Sequence, residues 1–120
     1  MRVLCDRHVD DQYVTALQHA EGITARTVGD ELSEDADDTE IIAHAESHEW
    51  VVLTADQRFL YDDENDETPP PRIEAECGVI YYVQLSKPSA TDIVSAIRAI
   101  AAAYPDHSTI ETYATEWIER

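Results

Sequence analysis

The sequence predicts an α/β fold of three layers, with a mostly parallel sheet of about four strands between helices. Two observations predict it. Short apolar runs such as RVLC, VVLT and GVIYYV alternate with longer segments whose apolar residues recur at helical spacing. Strands that alternate with helices pair in parallel through right-handed crossovers. At 120 residues the chain suits one domain, spanning 1–120, because a core of that size buries roughly two-thirds of the unfolded surface.

The elements follow in order. Residues 2–5 are too few for a helix and stop at Asp6, so they form a first strand. Residues 9–20 form a helix, with Tyr13, Ala16, Leu17 and Ala20 on one side and Gly22 as the stop. Residues 24–28 form a second strand, and 29–37 a polar connection. The next helix starts near Asp37 or Asp38, since Asp37 and Glu40 have capping-box spacing and Ile41, Ile42 and Ala45 supply an apolar face. Residues 50–54 form the third strand. The acidic, proline-rich YDDENDETPPPRIEAE reads as a solvated loop. Residues 78–83 form the fourth strand. A helix over 90–103 turns Ile93, Val94, Ile97 and Ile100 inward before Pro105 breaks it. A short helix over 108–120, packed through Ile110, Tyr113, Trp117 and Ile118, ends a helical extension over about 106–120.

No run of about 18 uncharged apolar residues is present, so the sequence reads as soluble and cytoplasmic, with no membrane partner. Cys5 and Cys77 are solitary, without metal-ligand spacing, and read as core thiols. The charge is extreme: 26 acids against 8 Lys and Arg give a formal net charge of −18, and Lys87 is the sole lysine. At ordinary ionic strength such a surface repels itself and nucleic acid. The acids, however, are dispersed along a chain that is 43% hydrophobic. Dispersed acid on a well-patterned chain points to a salt-adapted, halophilic protein, in which molar salt screens repulsion to within about 3 Å. Net charge therefore does not exclude an RNA partner.

Asp6 directly follows the first strand and Asp56 follows the third after Thr54 and Ala55. Both belong at the carboxyl edge of a parallel sheet, where α/β folds form their functional crevice. Asp38, at a helix start, is spaced to share the sheet-facing side with Ile41, Ile42 and Ala45. Three converging carboxylates destabilise the fold unless a cation neutralises them, and a hard divalent ion, Mg2+ or Mn2+, is the natural occupant. The chemistry implied is metal-assisted phosphodiester hydrolysis. Each acid also has a bland reading. Asp38 is either a capping residue or, if Asp37 caps, released from that role; Asp6 and Asp56 could each be turn residues. His44 and His48 have metal-pair spacing but no accompanying HExxH and read as border residues of the packed face. Tyr81 and Tyr82 either pack or stack on bases. DDENDE lacks the glycine of a calcium loop.

Three stretches in order, RVLCD, DTEIIAHA and VVLTADQRF, followed by an acidic loop and GVIYYV, resemble the PIN-like domain family, related to the toxin nucleases of toxin–antitoxin pairs, over roughly residues 1–103. The resemblance implies an α/β/α fold, with Asp6, Asp38 and Asp56 as the catalytic, metal-binding carboxylates. It further implies Mg2+- or Mn2+-dependent ribonuclease activity on an RNA substrate. Thr54 and His8 would support the metal. The sequence departs from the family pattern at Arg7 and His8, where members often carry an acid and an asparagine, and at Arg58, where they often carry an aspartate. Arg7, His8 and Arg58 could instead steer phosphate into the cleft. The rival expectation is a catalytically weak or inactive PIN-like domain that binds a small antitoxin-like protein or a second copy of itself. A phosphoacceptor of the response-regulator kind is disfavoured, because no lysine stands at a strand end.

Overall fold

The computed structural model describes residues 1–7, 9–33, 35–55, 77–82 and 88–118, with Asp38 described by its backbone. Five strands, β1 (Arg2–Cys5), β2 (Thr24–Thr27), β3 (Val51–Thr54), β4 (Val79–Tyr81) and β5 (Glu111–Tyr113), pair in the order β2-β1-β3-β4-β5. Every pairing is parallel. After β1 the chain moves outward to β2, then returns past β1 to lay down β3. The order therefore reverses between β1 and β3, and the crevice beyond their carboxyl ends is where such sheets bind ligands.

Both central strands are buried along their apolar residues, as a sheet covered on two faces requires. Alternation along them divides the core. Val3, Cys5, Val51 and Leu53 pack with Tyr13 and Leu17 of α1 (Asp11–His19) and with Ile93, Ile97 and Ile100 of α4 (Ala90–Ala103). Leu4 and Val52 face the other way, onto Ile41, Ile42 and Ala45 of α3 (Asp38–His48). The helices start where the sequence supplies caps: the side chains of Asp10, Asp37 and Ser89 accept from the backbone N–H groups of Gln12, Glu40 and Asp92. Glu49, at φ 60°, closes α3 in the left-handed conformation and delivers the chain directly into β3.

Two expectations are corrected. The terminal segment adds a fifth strand to the about four expected, because Glu111–Tyr113 is not helical but extends beside β4. The apolar spacing of Ile110, Tyr113 and Trp117 suggests a helix; long-range pairing overrides it, with Val79 N donating to Ile110 O at 2.8 Å and Ala114 N to Tyr81 O at 2.6 Å. Gly78 makes this possible, since a Cβ there would collide with the His107 carbonyl that precedes β5. The rest of the terminal segment is a 3-10 turn (His107–Thr109) and the short α5 (Thr115–Ile118). The polar connection after β2 likewise contains a helical turn, α2 (Val28–Glu31), started by Thr27 Oγ1 accepting from Asp30 N at 3.1 Å. The acidic loop of residues 61–76 and Val83 of the expected fourth strand lie outside the described residues. Among the described residues no helix is long and apolar enough to cross a membrane.

Candidate metal centre

Asp6 is the first residue beyond β1. The register sets Cys5 opposite Leu53, and Asp6 N donates to Leu53 O at 3.0 Å, so Asp6 continues the ladder and falls beside Thr54. Thr54 Oγ1 donates to Asp6 Oδ2 at 3.1 Å. Both groups are buried, Asp6 at 4% exposure and Thr54 at 0%. By strand alternation they share the α3 face with Leu4 and Val52. The pair bridges β1 and β3 where the strand order reverses.

Magnitudes decide how this site reads. Withdrawing a carboxylate from water costs several kcal/mol, whereas a hydrogen bond to a charged acceptor returns about 1.5–3 kcal/mol. Among the described residues the Asp6 carboxylate has one donor, the neutral Thr54 hydroxyl, and no ion pair. The remaining deficit fits a hard cation. Carboxylate and hydroxyl oxygens are the donors that Mg2+ or Mn2+ prefers.

The start of α3 lies close in the fold. Asp37 is the cap, its Oδ1 accepting from Glu40 N at 2.8 Å, so Asp38 is the first helical residue and does not serve as the cap. Arg7, next to Asp6, reaches across and donates through Nη2 to the Ala36 carbonyl at 3.1 Å, two residues before Asp38. That hydrogen bond carries no sequence signal, because it joins residues 29 apart. Asp56, His8, Arg58 and the Asp38 side chain lie outside the described residues. Among the described residues no three His, Cys, Asp or Glu side chains form a metal cluster; Asp6 and Thr54 are the predicted site residues whose side chains can be placed.

Neighbouring groups resolve into structural roles. Tyr82 stacks edge-on against Tyr13 at 5.4 Å, its hydroxyl accepts from Asp10 N at 3.4 Å, and Tyr13 donates to Pro88 O at 2.5 Å. Burial pushes both phenols above their ordinary range, so neither is poised as a base at neutral pH. Cys5 and Cys77 are free, buried thiols. Burial, and after it the Asp6 charge, push Cys5 up to about 12, which keeps it protonated and unreactive. Burial likewise pushes Cys77 up to about 11. His44 pairs with Glu31 at 3.3 Å and stacks on His48 at 4.2 Å, as border residues between α2 and α3.

A parallel α/β sheet with a buried carboxylate just beyond its switch point, met among the described residues by one hydroxyl donor, defines the class: an α/β domain. A family model described as a PIN like domain matches residues 1–69, more than half of the chain, and the matched span includes Asp6, Asp38 and Asp56. The chain belongs to the PIN-like domain family, whose members are in general metal-dependent nucleases. No curated protein and no solved structure matches it.

Proposed function

We propose that the protein is a divalent-metal-dependent ribonuclease in which Asp6, Asp38 and Asp56 hold Mg2+ or Mn2+. The observation that carries this reading is the buried Asp6 carboxylate at the β1/β3 switch point, with the Thr54 hydroxyl as its only described donor. When bound, the ion supplies a more acidic water and a polarised phosphodiester. The chain's own residues do the rest. Asp6 would hold the ion, and Thr54 fixes its carboxylate by donating to Oδ2. Asp38 would be a second ligand, the cap of α3 being Asp37. His8 and Arg58 steer phosphate toward the site.

The proposal extends to setting. Among the described residues exposed acids occur on every helix, among them Asp11, Asp30, Glu46, Asp92 and Glu116, which supports a salt-adapted, cytoplasmic protein that meets RNA under strong screening. A toxin-like nuclease held in check by a small antitoxin-like protein is the biological role in keeping with the family, and a homodimer is the other assembly it would adopt.

The test is cleavage of a mixed RNA substrate in about 2 M KCl, where non-specific charge effects are screened. Cleavage requiring Mn2+, abolished by EDTA and reduced more than about 100-fold in Asp6→Asn is expected, since loss of a ligand exceeds loss of a ligand's support. Mn2+ binding without cleavage would instead establish the non-catalytic binding domain.

A further inference from the structure

We propose that Arg7 is a positioning residue for the metal centre: its hydrogen bond to Ala36 O ties the end of β1 to the start of α3 and so sets the separation of Asp6 and Asp38. The inference rests on the reading of these acids as metal ligands and adds a residue which that reading does not use.

The geometry points to it as follows. Asp6 is fixed to β3 by its backbone bond to Leu53 and by Thr54. Asp38 belongs to another body, helix α3, reached through an irregular stretch after α2. That stretch has its own turn, Ala36 N to Ser33 O at 3.0 Å, and Ala36 is buried at 2% exposure. Its apolar packing shares a cluster with Leu4 of β1, and the directed tie to the end of that strand comes from Arg7, with its guanidinium on the Ala36 carbonyl at 3.1 Å while the residue itself is solvent-exposed. Two carboxylates that share one ion must be held at a set distance, and the strap joins the residue after Asp6 to the one two positions before Asp38.

The opposing effect is electrostatic. A guanidinium beside a cation site repels the cation, so if Arg7 acted through charge alone, its removal would tighten metal binding. Positioning predicts the opposite sign. Mn2+ dissociation constants, read by the loss of the free-ion electron paramagnetic resonance signal, separate the two. Arg7→Ala is expected to bind Mn2+ about 10-fold more weakly than the wild type, and Arg7→Gln, which keeps an amide donor without charge, to recover part of the loss. Unchanged or tighter binding in Arg7→Ala overturns the proposal, as does a lowered metal-free melting temperature with an unaltered dissociation constant, because that is the mark of a purely structural contact. Asp6→Asn is the control. If it binds Mn2+ as the wild type does, the metal-site reading itself has failed, whatever Arg7 does.

Discussion

At the amino-terminal edge of the sheet the Arg2 guanidinium lies 4.2 Å from the centre of the Trp50 ring, in a cleft of about 580 Å³ that is also lined by Glu46, Glu49 and Asp106. At the carboxyl-terminal edge the Asp6 carboxylate is buried with a neutral hydroxyl as its donor. The same two central strands, β1 and β3, supply both ends. Arg2 is exposed to water and its charge rests on a π face, so local physics accounts for it. The buried side-chain polar atom without a partner at that edge is the neutral Trp50 Nε1. Asp6 is buried and has no counter-charge among the described residues. A charge whose surroundings account for it reads as structure; a buried one met by a single described donor reads as a binding group.

The caps sharpen the contrast. Asp10, Asp37 and Asp106 each accept from a backbone N–H two or three residues on. For Asp106, the Ser108 side chain and then its N–H hold the carboxyl below its ordinary range. These acids are used up by the backbone, whereas Asp6 instead donates its own N–H to Leu53 and its carboxylate accepts from Thr54.

Substitutions at the two edges should separate accordingly. Thr54→Val keeps the shape but removes the donor to a buried carboxylate. It is expected to cost about 1–3 kcal/mol of metal-free stability and to weaken Mn2+ binding, both measurable by denaturant unfolding with and without the ion. A Thr54→Val protein as stable as the wild type would show that the Asp6 charge is met in some other way. Arg2→Ala should cost only about 0.5–1 kcal/mol, the worth of an exposed cation–π contact, and leave Mn2+ affinity unchanged. A metal effect from Arg2→Ala would erase the distinction between the edges.

Much of this was legible in the sequence, for reasons that can be named. The bounds of α4 follow from Ser89, a long helical period and Pro105; the start of α3 follows from Asp37 and Glu40; and β1 and β3 follow from short apolar runs ending on polar residues. The sequence put Asp6 and Asp56 at one edge, with Thr54 just before Asp56 as a supporting group; Asp56 lies outside the described residues. That Asp6 and Thr54 touch depends on the β1/β3 register, which joins residues 48 apart and leaves no local trace. β5 was hidden for the same reason, since Glu111–Tyr113 is a strand only because β4 lies beside it. The short turn of α2 was masked by its polar composition, and Arg7 by the distance along the chain to Ala36.

The central claim is that Asp6 is left for a cation. A Mn2+ titration of the melting temperature in about 2 M KCl tests it most directly, because an ion that binds only the folded chain must stabilise it, by about 2.7 kcal/mol at a hundred times the dissociation constant. The wild type should rise saturably by about 10 °C. Asp6→Asn should start higher without metal, relieved of its buried charge, and then stay flat. A wild type indifferent to Mn2+, or an Asp6→Asn protein that climbs with it equally, would contradict the account.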